Sequence, residues 1–303
     1  MSRKNVSLTA LLVLICGAMF AVPASAQHFE QIKGTFVSVA AGRNEVFAID
    51  TKGLPWRYNP TSQAFTKVKG TTPFSQIAIG GGTVSQLDEV WGVTGLGFVF
   101  RFNYSTKTFD QIPDAVLSQI AVGVGYEDQC HAYEVWGINS SQDVFRFDYC
   151  ALQFHQSPGS SLTQIASGGS DVWGLDADND VFHYSFAQEE FVGAGHCCMT
   201  LTQIAVGVND AWAIDSPANS APQAVRYDPN NTDWFPIGNA SQVAAGGDGV
   251  WILNGSDNNV YRFDSSAEGL VNVPGSLTSI AVGSRAGVWG INSSNQVFTF
   301  VRP

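Results

Sequence analysis

Short apolar runs separated by turn residues recur along nearly the whole chain, and within each run the side chains alternate with the two-residue period of a β-strand. Ile120 and Val122 share one face, with Ala121 and Gly123 on the other. In the next run Trp136 and Ile138 oppose Val135 and Gly137, and in the one after it Phe145 and Phe147 oppose Val144 and Arg146. Both faces are mostly apolar, one bulky and one small. Such a sheet is expected to be sandwiched between two similar sheets, the bulky face of one filling the hollow left by Ala and Gly on the next. Gly, Asn, Asp and Ser stand between the runs, which predicts tight antiparallel connections. The unit around Trp173 reads as four strands: Leu162 to Gly168, Asp171 to Leu175, Val181 to Tyr184 and Glu190 to Gly193.

This unit repeats. Ile77-Ala78-Ile79-Gly80 returns at Ile120, Ile165, Ile204, Val243 and Ile280, with a weaker first copy at Val39-Ala40-Ala41-Gly42, at spacings of 38, 43, 45, 39, 39 and 37 residues. A period of this size is the signature of a propeller or solenoid, because a single unit buries neither of its faces alone. The aromatic of the second strand stands at Phe47, Trp91, Trp136, Trp173, Trp212, Trp251 and Trp289, which counts seven units. The last unit, Ile280 to Pro303, is one strand short. Its missing piece sits at the other end: Phe29-Glu30-Gln31-Ile32-Lys33-Gly34 matches the fourth strands Phe65-Thr66-Lys67-Val68-Lys69-Gly70 and Phe109-Asp110-Gln111-Ile112-Pro113. The expected fold is all-β: a seven-bladed β-propeller of four-stranded antiparallel blades, its ring closed by the N-terminal strand. Closure limits exposed sheet edges.

The combination of Ile-Ala-Val-Gly, Val-Trp-Gly-Ile-Asn, Val-Phe-Arg-Phe and an aromatic followed by Pro-Gly resembles a tectonin-type β-propeller over nearly all of Gln27 to Pro303. The resemblance implies a lectin or pattern-recognition protein that binds surface sugars between or above blades. Some copies depart from the pattern. Phe47 and Ala48 replace Trp-Gly in the first, the fifth has Ala213 and an insertion from Pro217 to Pro222, and the sixth has Ile252 in place of Gly.

Residues 1–26 read as a signal peptide: Arg3 and Lys4, an apolar stretch from Leu8 to Ala21, then Ala24-Ser25-Ala26 before a cleavage point. Residues 27–303 are then one exported domain, with no membrane insertion. Losing Arg3 and Lys4 takes the formal charge from −11 to −13. That acidity excludes nucleic acid as a partner, since its binding is dominated by cationic side chains on phosphates. Charged residues make up only 14 % of the chain, so a neutral polar ligand is the better electrostatic match. The expected partners are glycans or glycoconjugates, with the protein itself a monomer. Export permits disulfides. Cys130 and Cys150 fall in loops on the same side of the third unit and are candidates to bridge, whereas Cys197 and Cys198 lie between units on the other side, and their state is open.

Three repeating sets of residues are candidate ligand contacts, each with a competing structural role. Trp91, Trp136, Trp173, Trp212, Trp251 and Trp289 offer faces on which sugar C–H bonds stack, but the period also places them beside buried aliphatics. Asn139, Asp176, Asn254 and Asn292 suit sugar hydroxyls, and equally suit turns. Arg101, Arg146 and Arg262, in register with Arg57 and Arg226, suit a carboxylate or several hydroxyls, or pack between blades with their heads paired to a loop acid. Trp56 and Trp234 break the repeat and are expected near a rim. Asp176, Asp178 and Asp180 alternate like the start of a calcium loop, but the glycine and the closing glutamate of such a loop are missing, so no metal is expected. His28, His131, His155, His183 and His196 fall in no nucleophile or metal motif. No cofactor and no catalysis are expected. The alternatives are a protein-interaction scaffold and a secreted polysaccharide lyase or hydrolase.

Overall fold

The computed structural model describes residues 27–81, 87–125, 130, 133–169, 171–195 and 199–302. The leader assigned to residues 1–26, and Cys197 and Cys198, lie outside the described residues. All regular structure among the described residues is β-strand.

Alternating small and large side chains give strands that fold into antiparallel four-stranded meanders. Five sheets have four strands each, and a sixth has seven. The third repeat is representative, with Gln119–Val124, Tyr133–Ile138, Asp143–Asp148 and Gln153–Ser161 side by side. Trp136 lies opposite Ala121 on one side and Arg146 on the other. The fourth repeat comprises Gln164–Gly168, Asp171–Leu175, Val181–Ser185 and Glu190–Gly193. Its first strand starts two residues later than the apolar pattern suggests, because Leu162 N–H instead donates to the Gln142 carbonyl of the preceding repeat.

The seven-stranded sheet is built around His28–Ala41, which pairs with a different strand on each half. Its first half runs against Gln296–Val301, with Phe29 opposite Phe300 and Ile32 opposite Val297. Its second half runs against Val46–Asp50, with Ala40 opposite Phe47. Register breaks in between, at Ile32/Thr35 and Phe36/Ser38. Gly34 sits in that break at φ 153°, where a Cβ would come within 2.2 Å of the Phe36 ring. Only glycine lets the strand turn from one partner to the other there.

The core consists of the interfaces between sheets. Six of the second-strand aromatics pack on the third- and fourth-strand aromatics of the following repeat, whereas Trp212 meets Phe263 alone, since the fourth strand there has no ring. Phe47 meets Phe102 and Phe109, Trp91 meets Phe147 and Phe154, Trp136 meets Tyr184 and Phe191, and Trp173 meets Tyr227 and Trp234. Trp251 meets Phe300 and Phe29, and Trp289 meets Tyr58 and Phe65. Most are edge-to-face pairs, each worth about 0.5–1.5 kcal/mol beyond the area buried. Trp234 is 2 % exposed and belongs to this set, in the place that Phe65 and Phe109 hold in their repeats. Its expected position at a rim is therefore corrected: it continues the fourth-strand pattern.

Small residues on the inner strands let the sheets approach closely. A Cβ on Gly80 would stand 2.0 Å from the Val122 carbonyl oxygen, and one on Gly246 would stand 2.3 Å from that of Val282. Glutamines span the same gaps. Gln119 donates to the Ile165 carbonyl at 3.3 Å and accepts from Ile165 N–H at 3.0 Å, and Gln76 and Gln203 make the same two bonds to Ile120 and Val243.

Candidate functional site

The arginines of the third strand and the tryptophans of the second are cross-strand partners, so each pair projects from the same face: Trp91 with Arg101, Trp136 with Arg146 and Trp251 with Arg262. Two residues before the aromatic, the first three repeats carry a glutamate. Glu134 accepts from Arg146 Nε at 3.0 Å and Nη2 at 2.6 Å, and from Trp136 Nε1 at 2.8 Å. Glu89 does the same for Arg101 and Trp91. Glu45 holds Arg57 by both nitrogens, with Phe47 in place of tryptophan. A ring of the next repeat covers each guanidinium: Tyr104 over Arg57, Tyr149 over Arg101 and Phe186 over Arg146. Burial pushes the phenols of Tyr104 and Tyr149 far above their usual range. The hydrogen bond to Glu45 holds the Arg57 guanidinium above its already high value. In the fourth repeat the pair becomes Asp171 and His183, 3.5 Å apart, and in the fifth Asp210 and Arg226, 3.8 Å apart.

These contacts decide the roles of the candidate residues. Trp91, Trp136, Trp212 and Trp251 are 0 % exposed, Trp289 2 % and Trp173 4 %. Their faces are covered by neighbouring rings, so the expectation that they stack on sugars is corrected to inter-sheet packing. Arg101 and Arg146 are likewise engaged by internal carboxylates. Asn139, Asp176, Asn254 and Asn292 lie at the other end of the second strand, apart from the Trp–Arg pairs. Each caps its own turn. Asn139 Oδ1 accepts from Ser141 and Asp143 N–H, Asp176 Oδ1 from Asp178 and Asp180 N–H, Asn254 Oδ1 from Ser256, and Asn292 Oδ1 from Ser294 and Gln296. In each of the four, Oδ1 is committed to its own turn, the structural role that competes with ligand contact. Cys130 and Cys150 form a disulfide with their Cα atoms 4.9 Å apart.

Sequence reasoning missed the acids. Glu45, Glu89, Glu134, Asp171 and Asp210 stand two residues before the aromatic in the first five repeats, a regularity visible in the sequence. Their meaning needs the cross-strand register with the arginines.

The accessible chemistry lies in a cavity of about 930 Å3 spanning the fourth, fifth and sixth repeats. Asp171, His183, Arg226, Asp228, Asn230, Asn231 and Glu268 line it. Phe235, 44 % exposed, offers an aromatic face in the same cavity. Asn230 and Asn231 both donate to the Asp228 carboxylate, and hydrogen bonds led by the Asn230 N–H hold its pKa below the ordinary range. Sequence reasoning did not single out Phe235, because no other repeat has an aromatic pair like Trp234-Phe235 on its fourth strand. A second cavity, of about 680 Å3, lies between the first and second repeats and is lined by Arg57, Lys67, Lys69 and Lys107.

The Tectonin domain family model matches residues 19–196 and 200–302. No curated protein matches the sequence. Solved structures share the architecture. U3-55K is similar at a TM-score of 0.65 and 7 % identity, over 90 % of this chain and 98 % of that one. Prp20p from Saccharomyces cerevisiae, studied for its binding to Gsp1p and histones, is similar at 0.60 and 12 %, over 88 % and 82 %. YCF48 bound to D1 peptide is similar at 0.66 and 10 %, over 93 % and 99 %. At these identities the likeness is one of fold.

Proposed function

Taking as premise that the chain belongs to the Tectonin domain family, we propose that it is an exported, non-catalytic carbohydrate-binding protein whose ligand sites are grooves between the blades of a closed seven-bladed ring. Two contacts favour the ring. His28–Ala41 is shared between the last strand and the second, and Trp289 near the C-terminus packs on Tyr58 and Phe65 near the N-terminus. Export rests on the sequence of residues 1–26.

The observation that carries the binding assignment is the cavity at Phe235. A sugar ring presents C–H groups on one face and hydroxyls around its edge. An exposed aromatic ring beside Asn230, Asn231, Asp228 and Glu268 matches both. Four carboxylates in the lining, Asp171, Asp210, Asp228 and Glu268, outnumber its one arginine, Arg226, which suits an uncharged saccharide better than a phosphate. Weak sites repeated on one glycan-coated surface would add by multivalency.

A second reading, a protein-interaction scaffold, is favoured by the peptide-bound state of YCF48, a propeller of similar architecture. A glycan array of bacterial and fungal polysaccharides, run beside a peptide library, separates the two. Binding that free sugar competes away supports the lectin. Peptide binding with no glycan bound supports the scaffold. Release of oligosaccharide from any polysaccharide on the array would contradict the non-catalytic assignment.

A further inference from the structure

The repeats serve as internal controls for one another, and the sixth lacks a part that the first three possess. Arg262 lies across from Trp251 as Arg146 lies across from Trp136. The residue two before Trp251 is Gly249, where the first three repeats have glutamate. A Cβ at 249 would meet no heavy atom within 4 Å, so the volume beside it is open.

The donors that a carboxylate satisfies elsewhere are still in place. Arg262 Nε is buried and has no hydrogen-bond partner. Trp251 Nε1 reaches only the Asp248 carbonyl, at 3.4 Å. Among the described residues no carboxylate comes within 4.0 Å of Arg262. Asp264 feels its charge, but its Oδ1 is taken by the N–H and hydroxyl of Ser266. The Asp248 side chain pairs with Arg302.

The cover is missing as well. Tyr104, Tyr149 and Phe186 stand two residues after the third-strand aromatics Phe102, Phe147 and Tyr184 of their repeats, and the equivalent residue after Phe300 is Arg302. Among the described residues no aromatic ring covers Arg262, and Arg302 pairs with Asp248.

Arg262 Nε, buried without a partner, and beside it an indole N–H held only by a long bond to the Asp248 carbonyl, offer donors to an external carboxylate. We propose that the gap at Gly249 binds the carboxylate of an acidic sugar, a uronate residue of a glycan, held by Arg262 and Trp251 Nε1 in the place that Glu134 takes in the third repeat. This rests on the carbohydrate-binding reading above, but concerns a different groove from that of Phe235.

The test follows the Trp251 indole N–H by 15N NMR, assigned by its loss in W251F, as the protein is titrated with glucuronate, glucose or glutamate. Glucuronate is expected to shift this resonance saturably, and glucose to leave it in place. R262A should weaken the glucuronate effect at least about tenfold, with R262K intermediate because lysine lacks the planar fork. G249E, which supplies an internal carboxylate, should abolish it. Should G249E fold poorly at this positive φ, R262Q replaces it. No saturable shift with glucuronate, or one that survives R262A, overturns the proposal. So does an equal response to glutamate, which would mark a general carboxylate site. Neutral glycans that still bind at Phe235 while glucuronate fails here would sink this site alone. Loss of both would sink the carbohydrate reading as well.

Discussion

Glu134 holds Arg146 by two hydrogen bonds, at 3.0 and 2.6 Å, with the acid fully buried and the arginine side chain only 20 % exposed. Trp136 donates a third bond to the same carboxylate. The charge pair thus locks two adjacent strands of one sheet, and Phe186 of the next sheet closes over it.

Breaking that pair from one side leaves a buried charge uncompensated. R146A is expected to lower unfolding stability by about 3 kcal/mol, whereas replacing both partners with apolar residues of similar volume should recover much of the loss. Urea unfolding of the single and double variants measures this. A single-variant loss below about 1 kcal/mol would mean that the pair is screened like a surface one.

Asp88 gives stability a pH dependence of known sign. It is 1 % exposed, and burial raises its carboxyl above the ordinary value despite hydrogen bonds from the Asn44 and Glu45 N–H groups. The folded state therefore holds a proton that the unfolded state has lost between about pH 3.9 and the raised value. Across that window this group's contribution falls as pH rises. Asparagine keeps an oxygen for both backbone bonds and carries no charge. D88N should gain in melting temperature relative to wild type on going from pH 4 to pH 7. A pH-independent difference would contradict the assignment.

The glutamine bridges bind neighbouring sheets through backbone groups. Q119A leaves the N–H and carbonyl of buried Ile165 without their side-chain partners, an expected loss of about 2 kcal/mol. Amide hydrogen exchange locates the effect. Ile165 N–H should lose protection ahead of Ile120 N–H, which its own bridge from Gln76 still holds. Equal loss at both would point to global destabilisation instead.

Glu30 lies opposite Thr299 where the N-terminal strand meets the C-terminal one. The double variant E30C/T299C should crosslink on mild oxidation and raise the melting temperature, since the bond closes nearly the full length of the chain. Mass spectrometry of the linked peptide identifies the bond against the natural Cys130–Cys150 bridge. Failure to crosslink would argue for an open array.

Much of this architecture was legible in the order of residues. Alternation within Ile120 to Gly123 and Tyr133 to Ile138 marked the strands, and the recurring Ala and Gly marked the faces that take up the bulky side chains of the next sheet. Cys130 and Cys150 could be paired because both lie in loops on one side of a single unit. The tryptophans were ambiguous for a physical reason: an aromatic on a strand face reads the same whether the next layer is a protein ring or a sugar. The Asn and Asp residues were ambiguous because a short polar side chain serves a turn or a ligand equally well. The Glu–Arg pairs stayed hidden because they join residues twelve apart, and only the register of two strands aligns them. The cavity at Phe235 depends on three repeats meeting, so no local pattern announces it.

The most direct test of the carbohydrate-binding account is calorimetric titration of the purified protein with the strongest neutral oligosaccharide from the array, for wild type and for F235A. Phe235 is exposed, so its truncation should leave the fold intact. The account predicts saturable binding to wild type, weakened at least about tenfold in F235A at an unchanged melting temperature. Equal affinity in both proteins, or no heat with any saccharide, would contradict it.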